Sequence, residues 1–440
     1  MKNIRKVSVL ALAVVAVFVM AACGSDDDGK KGSSENKIRR TVVMYVSAQN
    51  SLGARQFNRG DSTEIMAGNQ FLNSRDQLLL YIDDAQKPRV YRIYRGCKAP
   101  QLVRTYSTDV NSSDPAVLQE LLEWTMSTYP SESYGLVMWS HSDGWVPSWS
   151  KDYSAVTTKS FGLDVGPGGD MNKDTDVNGA YGATMDINDL ANAVRQSGMH
   201  PRYIFFDSCM MQCIEVDYAL RDVTDYVVAS PISTPAIGAN YTSLIRDGLF
   251  RDDPAQIAAS YYMYITSLPV SSVYHDFGMV VACVKTSELE NLAAVTRRYI
   301  SQLPAVSTDS EGVQTVNWPN MEGVTQYCNY DWRNFYRPHF YDLCDAMHTM
   351  LTEEQYADWK AALDRCVVWH NATDRFYVGE NSFGGEIYFS VDGAHSCSVS
   401  AFIPQQVYTQ NASRCVYGDL NADFSMMEWY EAAGWKDAGW

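Results

Sequence analysis

Ten cysteines occur in the 440-residue chain, but no Cys-x-x-Cys pair. His-Glu-x-x-His and Gly-x-Ser-x-Gly are also absent. Zinc ribbons, thioredoxin-like exchange, zinc peptidases and serine hydrolases of the α/β type therefore lack their sequence supports. Positive charge is scarce: 35 Lys and Arg face 52 Asp and Glu, for a formal charge of −17. A phosphate backbone needs a basic face, so no nucleic-acid partner is expected, and cationic or neutral substrates suit the chain better. Internal repeats and coiled-coil heptads are missing. The N-terminal apolar stretch, Val7 to Met20, is shorter than the ~20 residues a spanning helix requires.

That stretch has another use. Lys2, Arg5 and Lys6 precede it and Met20-Ala21-Ala22-Cys23 follows, the layout of an export leader. The tetrapeptide resembles the lipobox of bacterial lipoproteins, which implies removal of residues 1–22 and a lipid on Cys23. Residues 23–37 are Gly/Ser-rich and charged, too polar to bury themselves, and read as a flexible tether. Asp26 to Asp28 resemble the acidic tags of surface-exposed lipoproteins. The expected location is the bacterial outer membrane, with the lipid as the membrane contact.

From residue 38 short apolar runs alternate with amphipathic stretches. Thr41–Val46, Gln77–Ile82, Tyr134–Trp139, Tyr203–Phe206 and Tyr226–Ala229 read as strands buried on both faces. Pro115–Thr128, capped by Asp114, and Asp186–Gln196 read as helices. This order predicts an α/β fold with a mostly parallel sheet flanked by helices on both faces, over residues 38–268. Residues 269–440 read as a smaller αβ region packed on that core, with a strand at Phe277–Val284, helices at Ser287–Leu303, Phe340–Leu351 and Glu353–His370, and strands at Gly385–Val391 and Ser396–Ile403. Pro147–Ala183, rich in Gly, Asp, Ser and Lys, reads as a long exposed loop. Within it Asp170, Asn172, Asp174 and Asp176 alternate as calcium ligands would, but without the glycine and terminal glutamate of an EF-hand.

Ligands of such sheets bind beyond the carboxyl ends of the strands. Two runs end there in reactive residues: YGLVMWS in His141, and YIFF in Asp207-Ser208-Cys209. A cysteine between a strand end and a helix start suits a nucleophile, because amide donors and the helix dipole favour the thiolate. Alternation along the strand points Asp207 and Cys209 to one side. Of seven histidines, His141 alone ends a core strand; His200, His275, His339, His348, His370 and His395 fall in loops or on helices. A histidine near neutral pH can protonate a leaving amine.

YGLVMWSHSDGW followed by FFDSCMMQCIEVDYALRDVTDYVVASP resembles the clostripain family of cysteine peptidases, relatives of caspases and gingipains. The closing strand CSVSAFIP is similar as well, and the likeness runs from about Thr41 to the C-terminus. It implies a caspase-like fold, Cys209 as nucleophile, His141 as general acid in a dyad, and backbone amides of Ser142 and Cys209 around the oxyanion. It implies a role for Asp207 in a pocket for Arg or Lys before the scissile bond of a protein or peptide substrate. Self-cleavage in the loop after the histidine is a family habit, which makes Lys151, Lys159 and Lys173 candidate sites. No cofactor is required for the chemistry, and calcium is an optional ligand with no ligand set assigned.

Two positions depart from the family pattern. Ser142 stands where the family has glycine, and Ser208 where it has alanine. A glycine there would serve a positive φ or a close backbone approach. The sequence thus also admits an inactive relative that keeps the fold as a binding or adhesion module.

Overall fold

Every residue from Val42 to Tyr45 is fully buried, as a strand covered by helices on both faces must be. A computed structural model describes residues 37–146, 160–303, 305–328, 340–380, 385–410 and 419–440. Lys37–Trp440 forms one compact unit. The calls at Cys23, Lys151 and Lys159 lie outside the described residues.

The elements run β1 (Ile38–Ser47), α1 (Ser51–Ala54), α2 (Phe57–Gly68), β2 (Asp76–Asp83), β3 (Arg89–Tyr94), β4 (Gln101–Thr105), α3 (Pro115–Thr128) and β5 (Ser131–Trp139). After these come β6 (Phe161–Asp164), β7 (Ala183–Met185), α4 (Ile187–Ser197), β8 (Ile204–Asp207), α5 (Ile214–Ala219), β9 (Tyr226–Ala229), α6 (Tyr241–Asp247) and α7 (Ala255–Thr266). The last to be labelled are β10 (Val280–Lys285), α8 (Leu289–Ile300), α9 (Leu343–Met350) and α10 (Glu353–Cys366).

Among the described residues, nine strands make the main sheet. Its centre is parallel, in the order β9-β8-β5-β1-β2. Antiparallel β3 and β4 extend one edge, and β10 with Val367–Ala372 the other. Val43, Tyr45, Leu136, Met138 and Phe206 pack one face against α3, α4 and α5. Val42, Met44, Val137, Trp139 and Phe205 pack the opposite face against α2, α6 and α7. The fold is a mixed α/β sheet flanked by helices on both faces, as the alternation of runs predicts.

Some boundaries differ from the sequence reading. The helix expected to His370 stops at Cys366, and Val367–Ala372 joins β10 as a strand; β-branched and aromatic residues there favour an extended edge over another helical turn. Phe340–Asp342 is a short strand, and the helix starts only at Leu343, capped by the Asp342 carboxylate. The stretch Pro147–Ala183 is not wholly an exposed loop, because all four residues of β6 are buried, and Phe161 and Asp164 pair with Met185 and Ala183 of β7.

Candidate functional site

The site is set by a register. β5 and β8 are parallel neighbours, with Trp139 opposite Asp207. His141 and Cys209 each follow two residues beyond that aligned pair, so the topology carries both past the carboxyl edge of adjacent strands, ~4.8 Å apart. A side-chain bond closes the gap: Ser142 Oγ donates to the Cys209 carbonyl at 2.5 Å.

Cys209 sits in a turn rather than at a helix start. Met210 takes a left-handed φ of 59°, its amide donates to Ile232 at 3.0 Å, and α5 begins only at Ile214. The helix-dipole argument for this thiol therefore fails; the turn, not a helix end, presents it. Cys209 is half-buried, and its sulfur lies 3.7 Å from Thr234 Oγ1. Gly144, at φ 68°, is required here: a Cβ would stand 2.8 Å from the Met210 carbonyl and 2.9 Å from the Phe340 ring.

Ser142 has no positive φ. It bridges Phe161 of β6 through bonds from Gly162 N to the His141 carbonyl (2.9 Å) and from Asp143 N to the Ser160 carbonyl (3.4 Å). The bridge thus uses the amides of Gly162 and Asp143, not that of Ser142. The glycine of the family pattern is dispensable at this position, where serine adopts the backbone without strain. Ser208 is buried, and among the described residues its hydroxyl meets no hydrogen-bond partner.

The two tryptophans beside His141 belong to the core. Trp139 packs on one face of the sheet and Trp145 on the other, edge-on to Phe402 and Phe424.

His141 has company that the motifs do not reveal. Its Nε2 lies 3.0 Å from Ser51 Oγ and 4.0 Å from Asp174 Oδ2. Asp174, at φ 58°, accepts from Ser51 N at 2.7 Å and from Ser51 Oγ at 3.0 Å. Asn50 places Ser51: its amide donates to the carbonyls of Ser47 and Leu163 (2.9 Å each), and its oxygen caps α1 at Leu52 N.

Asp207 is almost fully buried. It accepts from Tyr241 Oη at 2.8 Å and Ala239 N at 3.2 Å, and burial raises its pKa. Two more acids lie nearby on α2. Burial, then Asp207 and Glu64, pushes Asp61 up to about 9. Burial likewise raises Glu64, whose Oε2 accepts from Tyr241 N at 2.8 Å. Gly238, at φ 61°, lies against Asp207, where a Cβ would come within 2.8 Å of Oδ2. Neither Asp61 nor Glu64 carries a sequence signal beyond acidic residues on a helix that follows β1.

The calcium reading finds no support. Asp170 is held by Asn172 N and by Lys173 Nζ at 3.0 Å, and Asp176 by the amides of Asn178 and Ala180. Asp174 turns instead to Ser51. Among the described residues, the His, Cys, Asp and Glu donors that converge closely enough for a metal are Asp342, Cys344 and Cys397. Lys173 is exposed, immediately before the aspartate that meets Ser51.

A sequence model of the clostripain family matches residues 44–440. Among solved structures, a secreted C11 cysteine protease from Bacteroides thetaiotaomicron, in complex with an irreversible peptide inhibitor, is similar at TM-score 0.70 and 27% identity, covering 90% of this chain and 99% of that one. An inactive zymogen C11 protease from Parabacteroides distasonis is similar at TM-score 0.68 and 25% identity, covering 90% and 97%. A search of curated proteins finds no match.

Proposed function

Because the chain belongs to the clostripain family of cysteine peptidases, we propose that it is an endopeptidase in which Cys209 attacks the scissile carbonyl and His141 protonates the leaving amine. The observation that carries this assignment is the β5–β8 register, which sets His141 and Cys209 at matching distances past Trp139 and Asp207. The attack makes an Sγ–C bond, and collapse of the tetrahedral species breaks the C–N bond as the amine takes a proton from His141. Water then releases the acid. The Ser142 amide, outside the β6 bridge, and the Cys209 amide would receive the oxyanion, a role whose loss costs ~10² to 10³ in rate.

Ser51 fixes which nitrogen of His141 works. A serine hydroxyl has one hydrogen, and directed at Asp174 Oδ2 it leaves only lone pairs for Nε2. The proton of neutral His141 then resides on Nε2, and Nδ1 exchanges protons with thiol and amine.

A basic residue before the scissile bond fits the acids behind Cys209. Asp207 and Asp61 are buried and Glu64 half-buried; burial raises the pKa of all three, and an arginine or lysine side chain brought beside them would favour their charged forms. Gly238 packs directly against the Asp207 carboxylate, where a side chain would collide with it.

The test is trapping by peptidyl electrophiles. The parent enzyme should be labelled at Cys209 by a reagent ending in Arg or Lys, much more slowly by one ending in Leu, and the Cys209→Ala variant not at all. Equal labelling by all three reagents would remove the basic preference, while no labelling of the folded parent would remove the dyad.

Export and a lipid on Cys23 complete the reading, supported by the N-terminal pattern and by a secreted relative. Among the described residues no helix is long and apolar enough to cross a membrane. Cys23→Ser should release the protein from membranes; a variant that stays bound would refute the anchor. Self-cleavage at Lys151, Lys159 or Lys173 would show as new N-termini that Cys209→Ala lacks.

A further inference from the structure

We propose that Cys344 and Cys397 form a disulfide in the exported protein, a covalent staple behind the turn that carries Cys209. The two sulfurs and an Asp342 oxygen lie within 4.8 Å of one another, and both cysteines are buried. The inference rests on the export reading, since a disulfide persists only in an oxidising compartment.

A metal is the competing use of these groups, and the surroundings speak against it. Asp342 is already used as a structural acceptor. Its Oδ2 receives Tyr327 Oη (2.6 Å), Cys397 N (3.0 Å), Ser396 Oγ (3.1 Å) and Ser398 N (3.2 Å). Its Oδ1 receives Asp345 N at 3.1 Å, capping α9. The Cys397 thiol also lies 3.6 Å from Oδ1, so both oxygens of this carboxylate are already engaged by protein donors. The chemistry open to the two sulfurs is with each other. Oxidation joins them as S–S and transfers two electrons and two protons to a donor disulfide, which leaves as two thiols.

The position gives the bond a purpose. Cys344 is the second residue of α9, and Cys397 begins the segment that returns to the active-site turn. Leu343 N donates to the Val399 carbonyl at 2.9 Å, Ser400 N to the Gln212 carbonyl at 2.9 Å, and Phe402 N to Glu215 Oε1 at 2.8 Å. Gln212 and Glu215 lie just after Cys209. Ser398 is left-handed, at φ 58°, a conformation that an L-residue keeps only when its surroundings hold it. A staple closing a ~50-residue loop would hold this segment and disfavour the unfolded chain.

The experiment is differential alkylation of the full chain recovered from its native membranes, in a Cys209→Ala background that removes the exchange-prone thiol. Free thiols are labelled in denaturant without reductant, and the remainder with a heavier reagent after reduction. Cys344 and Cys397 should be recovered as joined peptides that take only the second label, while buried Cys213 and Cys283 take the first. Reductant should lower the melting temperature of this protein but leave that of a Cys397→Ser variant unmoved. First-label recovery of both residues from exported protein would overturn the proposal, as would one zinc per chain with both thiols free. Recovery of the chain in the cytoplasm with its leader intact would overturn the export reading instead. The same labelling on chain refolded in a glutathione redox buffer then decides the pairing: joined peptides uphold it, and separate ones overturn it.

Discussion

Replacing Ser51 with alanine removes the hydroxyl between His141 and Asp174 without touching the thiol. We expect kcat to fall roughly 10- to 100-fold with KM nearly unchanged, and Ser51→Thr to recover most of the loss. Steady-state kinetics decides, and parent-like kcat in Ser51→Ala would sink the tautomer assignment. Ser208 offers the opposite case. Its buried hydroxyl has no partner, so Ser208→Ala should raise unfolding free energy by about 1 kcal/mol and leave activity intact; denaturant titration checks this. At this scale the sequence announced His141, Asp207 and Cys209, because each ends an apolar run. It was silent on Ser51, Asp61 and Glu64, which only the fold brings near these residues and which belong to no motif. Ser142 misled in another way: glycine in relatives suggested a strained backbone, yet the residue bridges Phe161 at ordinary φ.

At the scale of elements, the four-residue helix α1 owes its place to one side chain. Asn50 joins Ser47, Leu163 and the first amides of α1. Asn50→Ala should cost about 2 to 3 kcal/mol and lower kcat at least as far as Ser51→Ala, because Ser51 would lose its support. Unfolding curves and kinetics on one preparation test both halves; a stability loss with full activity would show that α1 does not set His141. The central strands were readable because burial on both faces writes an unbroken apolar run. The edges were not. β3 carries Arg89 and Arg92 among its apolar residues, which blurs its periodicity, and Val367–Ala372 follows a helix without a glycine or proline to mark the change. β6 went unseen because its four residues sit inside a stretch whose composition is that of a loop.

The whole molecule holds several carboxyl groups in their neutral form. Burial first, then neighbouring acids, puts Asp61 and Asp83 at about 9, and burial puts Glu215 at about 8. In the unfolded chain these groups ionise near 4. Above that pH the folded state binds more protons than the unfolded one, so the stability they contribute is full below about 4 and is lost as pH rises towards 8 to 9. The melting temperature should therefore fall across the neutral range, less steeply in Asp61→Asn; identical slopes would contradict the assignment. β10 and Val367–Ala372 also complete the sheet begun by β1, a partnership that no reading of separate sequence blocks could supply. The register of β5 with β8 has a last consequence. The pairing that aligns His141 with Cys209 is made by hydrogen bonds between strands, so covalent continuity between them is unnecessary. The chain cut between Val146 and Ser160 and produced as two polypeptides should reassemble, with β1 to β5 from one piece and β8 from the other. Co-purified halves should react with an arginyl electrophile at Cys209, and neither half should do so alone. The enzyme would then be a heterodimer written as one gene product, with its catalytic pair divided between the partners.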